Sequence, residues 1–143
     1  MITEELIVAS ELKPYLFLYG RCAEALEFYK GVFGGDYEAM KVGGSPAQAM
    51  MPPGTENDVM HASFTSDVAS FFCSDGMERK KIDPEEGNIS LALNVEDAAR
   101  GEKIFNALAE GGTVKRAIED AFWGGRFGNV VDKFGNDWMM TLP

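Results

Sequence analysis

Cysteine is scarce, histidine scarcer still, and positive charge is outnumbered. The 143 residues contain two cysteines and one histidine, and 13 Lys and Arg stand against 23 Asp and Glu for a net charge of −10. Cys22 and Cys73 can close at most one bridge, which suits a reducing, cytoplasmic setting. The acidic balance excludes the basic footprint that nucleic acid or an anionic membrane surface requires, so neither is expected as a partner. No window approaches the ~20 apolar residues of a membrane span, and residues 1–13 lack the basic start and long apolar run of a signal peptide. What is present is a globular composition, 45% hydrophobic. A chain of this length can bury roughly 68–70% of its unfolded surface without a disulfide or metal staple.

Two breaks punctuate the chain. Gly43–Asp58 holds three glycines and three prolines, so it can form neither a helix interior nor a central strand. Gly76–Asn88 is polar and charged and reads as a surface connection; its Arg79-Lys80-Lys81 run is expected to be a solvated face. Met50-Met51-Pro52-Pro53 reads either as a lid or as slack loop. Strands are expected at Pro14–Leu18, Asp36–Val42, Val59–Thr65 and Ala69–Ser74, then at Ile89–Val95, Thr113–Arg116, Arg126–Asp132 and Asp137–Leu142. In Ile89–Val95 the alternation puts Ile89, Leu91, Leu93 and Val95 on one apolar face. Cys22, Leu26, Tyr29 and Phe33 form one stripe of a helix that Gly34-Gly35 ends; Gly101, Ile104, Phe105 and Leu108 form another, stopped at Gly111-Gly112.

The two halves match. A shift of 77 lays Pro14–Leu18 on Leu91–Val95, Phe28 on Phe105 and Gly34-Gly35 on Gly111-Gly112. Each half therefore reads strand, helix, Gly-Gly, three strands. The expected fold is α+β: two tandem βαβββ modules, one over about residues 14–75 and one over about 88–142, forming a curved mixed sheet around a cavity within a single 1–143 domain. Helices would lie outside, and the hollow would be the binding site.

Pro14–Tyr29 (PYLFLYGRCAEALEFY), His61–Phe64 (HASF), Asn106–Gly112 (NALAEGG) and Phe122–Gly128 (FWGGRFG) followed by Asp132–Gly135 (DKFG) resemble the PhnB-like branch of the vicinal oxygen chelate superfamily. That superfamily includes glyoxalase I, extradiol dioxygenases and bleomycin-resistance proteins. The resemblance runs from Pro14 to Leu142 and implies paired βαβββ modules, the glyoxalase/bleomycin-resistance fold, and a homodimer. Residues 1–13 lie outside it, and their apolar centre Leu6-Ile7-Val8 is expected to add an edge strand or to pack across a dimer.

The resemblance also implies where a divalent metal would sit. The second-module histidine of metal-using members falls at Ser90, the glutamate of their last strand at Met139, and the first-strand ligand near Pro14; no acid occurs between Val68 and Ser74 for the other glutamate. A hydroxyl, a thioether and a proline are poor donors for a hard cation, and one histidine cannot supply a two-histidine site. No metal and no other cofactor are therefore expected. A methyltransferase label also attaches to this branch. A common methyl-donor site needs a glycine-rich turn after its first strand, whereas Tyr19-Gly20-Arg21 holds one glycine.

The candidate ligand-binding residues are His61, Ser63, Cys73, Ser90, Trp123, Arg126 and Met139. If Met60, Ala62 and Phe64 face the helices, His61, Ser63 and Thr65 face the hollow, where His61 is either a general base or a satisfied strand histidine. Arg126 offers a planar fork to a carboxylate or phosphate; alternatively it pairs with Glu119, Asp120 or Asp132 while Trp123 plugs the core. Cys73 reads as a thiol beside His61 or as a buried, inert cysteine. Asp132–Gly135 needs no more than a capped tight turn. The expected function is the binding of a small organic molecule without metal. The alternatives are a metal-dependent lyase, isomerase or dioxygenase, and a drug-sequestering resistance protein drawn to cations by the acidic charge.

Overall fold

The structure is a computed structural model that describes residues 10–143; Leu6–Val8 lie outside the described residues. Among the described residues the chain divides into two compact units, one of residues 10–30 and 34–79 and one of residues 80–143 together with 31–33. No helix among the described residues is long and apolar enough to cross a membrane.

The first unit contains β1 (Tyr15–Phe17), α1 (Cys22–Phe33, whose last three residues group with the second unit), β2 (Asp36–Lys41), β3 (Val59–Thr65) and β4 (Ser70–Ser74). Its four-stranded sheet has the order β1-β4-β3-β2, with β1 parallel to β4 and the other pairs antiparallel. The Pro/Gly segment between β2 and β3 yields only a 3₁₀ turn, Pro46–Met50, that buries no residue. The expected stripe of α1 is realised: Cys22, Leu26, Tyr29 and Phe33 are all buried. Tyr29 meets Phe71 of β4 edge-on at 5.3 Å, and Phe71 stacks on Phe64 of β3 at 4.9 Å. One face of the sheet, carrying Leu16, Ala62, Phe64, Phe71 and Cys73, is therefore the helix-covered face.

No side chain next to α1 caps it. Arg21 stands at the N-cap position and makes no side-chain capping bond, its guanidinium pairing instead with Glu24 at 3.1 Å. The cap comes from far along the chain: buried Asp75, just past β4, accepts Gly20 N–H at 2.9 Å and Cys22 N–H at 2.8 Å on Oδ1, and Val59 N–H at 2.8 Å on Oδ2. One carboxylate thereby satisfies the first amide of α1 and one in the turn before it, and ties both to the start of β3.

The second unit repeats the plan with β5 (Leu91–Asn94), α2 (Ala98–Ala109), β6 (Thr113–Asp120), β7 (Arg126–Val131) and β8 (Asp137–Leu142), in sheet order β5-β8-β7-β6. The shift of 77 survives as geometry. Tyr15 is in register with Phe72, and its counterpart Ala92 with Met139, each in the parallel pair of its sheet. Helix α2 buries Gly101, Ile104, Phe105 and Leu108, the four positions read from the sequence, and Asp97 caps it by accepting Arg100 N–H at 3.1 Å. Buried Asp132 organises the last turn, accepting Phe134 N–H at 2.9 Å, Asn136 N–H at 3.0 Å and the Trp138 indole N–H at 2.8 Å.

Two element expectations are corrected. β5 is shorter than Ile89–Val95, and Ile89 is 77% exposed rather than on an apolar face, because it precedes the first residue paired with β8. β6 runs to Asp120 rather than Arg116, since irregularities at Val114/Arg116 and Arg116/Glu119 re-phase its pairing with β7 and let a strand without period-two alternation continue.

Candidate functional site

The face of the first sheet turned away from α1 is aromatic. Alternation fixes its members: Tyr15 and Phe17 from β1, Phe72 and Ser74 from β4, His61 and Ser63 from β3, Glu38 and Met40 from β2. The Tyr15 hydroxyl and His61 Nδ1 share a hydrogen bond at 3.0 Å, donated by the hydroxyl when that nitrogen is unprotonated. Ring centroids lie 5.5 Å apart for Tyr15–His61, 5.1 Å for His61–Phe72, 6.2 Å for Tyr15–Phe72 and 4.9 Å for Tyr15–Phe17. Lys13 holds its ammonium 4.7 Å from the Phe72 centroid. Tyr15 and Phe17 are 39% and 47% exposed, whereas Ser63, Ser74 and Phe72 beneath them are buried. Burial pushes the Tyr15 phenol above its ordinary value, with the Ser74 side chain pulling the other way. The result is a floor of polarisable rings with one hydroxyl–imidazole pair set into it, able to stack a planar group and to exchange a hydrogen bond with it.

The open face of the second sheet is polar. Asp137 accepts Ser90 Oγ–H at 2.6 Å and Asn129 Nδ2–H at 2.8 Å on Oδ1, and pairs with Lys115 at 3.4 Å on Oδ2. Asn129 also donates to the Trp138 carbonyl at 2.8 Å. Met139 lies on this face between Ala92 and Asn129.

Within the first sheet, His61 and Ser63 share the open face, and Ala62 and Phe64 the helix face, as the pleat predicted. Cys73 lies on the helix face instead, registered with Ala62, its sulfur 3.5 Å from that of Cys22. Both thiols are buried, and their mutual hydrogen bond, followed by burial, pushes Cys22 far above its ordinary value. A neutral, enclosed thiol is a poor nucleophile.

In the second sheet, Ser90 and Met139 belong to the open face, but Arg126 does not. It is registered with Leu142 on the helix side and donates to Glu102 of α2 at 2.7 Å, not to Glu119, Asp120 or Asp132. Trp123 is no core plug: it is 60% exposed at the tip of the β6–β7 hairpin, between Phe122 and Phe127. Tyr15, Phe17 and Phe72 are the residues that reading the sequence missed. Their signal was the Tyr-Leu-Phe alternation of β1, which puts two aromatic rings on one face of a strand.

The superfamily metal finds no fitting donors at the positions the resemblance assigns. Ser90 is engaged by Asp137, Met139 offers a thioether, and Pro14 contributes a carbonyl that accepts Phe72 N–H at 2.9 Å. Among the described residues, no three His, Cys, Asp or Glu side chains converge as a metal-binding group.

Two βαβββ modules with parallel outer pairs define an α+β protein of the glyoxalase/bleomycin-resistance class. A Burkholderia phytofirmans structure described as a glyoxalase/bleomycin resistance protein/dioxygenase family enzyme shares this fold at 12% identity, with a TM-score of 0.52 over 92% of this chain and 94% of that one. The chain belongs to the family whose model is described as 3-demethylubiquinone-9 3-methyltransferase, matched over residues 10–141, which is the PhnB-like branch of that superfamily. It is similar to protein PA1353 from Pseudomonas aeruginosa at 34% identity and a TM-score of 0.78, covering 94% of this chain and 98% of that one. A Bacillus cereus protein described as a putative 3-demethylubiquinone-9 3-methyltransferase, PhnB protein, matches at 26% identity and a TM-score of 0.73, over 94% and 100% of the two chains.

Proposed function

We propose that this protein binds a small organic molecule with a planar, unsaturated portion on the open face of its first sheet, without the superfamily metal. The observation that carries this reading is the Tyr15–His61–Phe72 cluster, in which three rings and a 3.0 Å hydroxyl–imidazole bond share one face. Stacking supplies most of the affinity, and the Tyr15 hydroxyl and His61 select a guest that carries a hydrogen-bonding group. His61 is the group able to move a proton to or from such a guest near neutral pH. Methyl transfer fits this chain poorly. The turn after β1 spends the Gly20 and Cys22 amides on Asp75, leaving no backbone cradle of the kind that holds a nucleotide-like methyl donor. A homodimer and a cytoplasmic location complete the reading; Cys22 and Cys73, present as thiols, suit a reducing compartment.

The test is a thermal-shift screen of metabolite mixtures against the wild type and the Tyr15→Ala and His61→Ala variants. A true ligand at 100 times its dissociation constant adds ~2.7 kcal/mol to the stability of the wild type. The expected result is a stabilising compound whose effect disappears in both variants. No shift across a chemically broad library, or a shift that survives both substitutions, removes the proposal.

A further inference from the structure

The β6–β7 hairpin carries a second concave feature, built by different residues and independent of the site proposed above. A cavity of about 130 Å³ is lined by Arg116, Glu119, Asp120, Phe122, Trp123 and Phe127. Its rings stand at steep angles to one another. Phe122 and Trp123 meet at 85° with centroids 4.8 Å apart, and Trp123 and Phe127 at 69° and 5.8 Å. Successive edge-to-face contacts make an aromatic corner in which part of each ring face stays free to meet a guest.

The backbone beneath the corner is fixed by its turn. Ala121 N–H donates to the Gly125 carbonyl at 2.9 Å, and Gly124 N–H to the Ala121 carbonyl at 3.0 Å, closing the turn beneath the two aromatic residues. Gly125 has a φ of +71°, and a Cβ there would collide with the Leu142 carbonyl. Phe127 is fixed in β7, in register with Glu119 of β6 and Thr141 of β8. Phe127 is held within the sheet, whereas ordering Phe122 and Trp123 is part of what a guest must offset. Phe122 is 98% exposed and Trp123 60% exposed, so the corner is open to solvent.

Charge selects the guest. Two carboxylates and one guanidinium border the cavity, and Arg116 pairs with Glu119 at 3.9 Å, which leaves an excess of one negative charge beside the rings. An anion would be repelled. A primary ammonium is strongly hydrated, and the aromatic walls return none of those hydrogen bonds; only the carboxylates at the border can accept. An alkylated ammonium is weakly hydrated, is attracted by ring faces within about 6 Å, and is balanced at long range by the carboxylates. An engineered apolar cavity of ~150 Å³ takes up benzene, and the open space of about 130 Å³ here is of the same order, enough to seat a trimethylammonium head with part of it in solvent.

We propose that Phe122, Trp123 and Phe127, bordered by Glu119 and Asp120, form a binding site for quaternary or methylated ammonium groups. The test follows the Trp123 indole N–H by nitrogen–proton NMR during titration with choline, and in parallel with its neutral carbon isostere 3,3-dimethylbutan-1-ol. The buried Trp138 indole, bonded to Asp132, reports on the fold in the same spectrum. The expected result is a saturable shift of the Trp123 resonance with choline and at least about tenfold weaker binding of the neutral isostere. Trp123→Ala and Phe127→Ala should each weaken choline by about tenfold or more, read on the remaining hairpin amides, and Asp120→Asn should weaken it less and only at low salt. Equal binding of the isostere would reduce the feature to an apolar corner. A Trp123 resonance unmoved up to about 100 mM choline, with Trp138 undisturbed, would overturn the site altogether.

Discussion

Asp75 shows how much one side chain can hold. Its carboxylate accepts three backbone amides from two elements and the turn before α1, all in a buried setting. Hydrogen bonds to a charged group contribute ~1.5–3 kcal/mol each, and amides left unpaired in the interior cost a similar amount. Asp75→Ala should therefore lower unfolding free energy by about 3 kcal/mol or more, visible as a lower urea midpoint at unchanged slope. A change below about 0.5 kcal/mol would mean that water replaces the carboxylate. Tyr15 gives a residue-scale prediction in pH. Its phenol is pushed up by burial, so the folded state favours the neutral form, and the associated stability is complete below the ordinary tyrosine value of ~10. That stability is lost as pH rises through the higher folded value. In ultraviolet titration, Tyr15→Phe should remove a phenolate transition lying above the ordinary tyrosine value. Loss of a transition at or below that value would contradict the packing described for this ring.

At the scale of elements, the glycines separate propensity from packing. Gly31 lies within α1, and a Cβ there would meet nothing within 4 Å. Gly31→Ala should stabilise by about 0.5–1 kcal/mol, because alanine loses less chain entropy in a helix. Gly101 lies within α2, yet a Cβ there would overlap the buried Leu142 side chain. Gly101→Ala should destabilise by about 1–3 kcal/mol despite the same helical gain. Thermal unfolding of the two variants measures both, and shifts of the same sign would contradict this account. The helix stripes were legible because a buried helix face imposes a 3.6-residue period that the sequence must show. The four buried positions of α2 were read directly from that period. The end of β6 was not legible, because its irregularities break the alternation by which a strand is recognised.

For the whole molecule, the donor chemistry at the positions the resemblance assigns to a metal predicts indifference to chelation. Ser90 is committed to Asp137, and Met139 and Pro14 offer nothing a hard cation prefers. The melting temperature should be unchanged by EDTA and by added Mn²⁺, Zn²⁺ or Ni²⁺. An ion at 100 times its dissociation constant would add ~2.7 kcal/mol, so a fall with chelator that is restored by one of these ions would show a bound metal. The duplicated plan, the α+β class and the family were all legible in the chain, since each half repeats strand, helix, Gly-Gly and three strands, and PYLFL, HASF and FWGGRFG carry the resemblance. The candidate site was legible only in part. His61 stood out as the single imidazole, but its partner Tyr15 lies 46 residues away and only strand pairing brings the two together. Arg126 and Trp123 looked like one unit because they share a loop in sequence, yet the pleat sends Arg126 to Glu102 and leaves Trp123 at the hairpin tip. Periodicity and glycine placement, which record local backbone preference and burial of one face, were determined by the sequence itself. Which polar groups meet depends on register and on carboxylates such as Asp75 and Asp137 reaching across tens of residues, and that was decided only when the sheets formed.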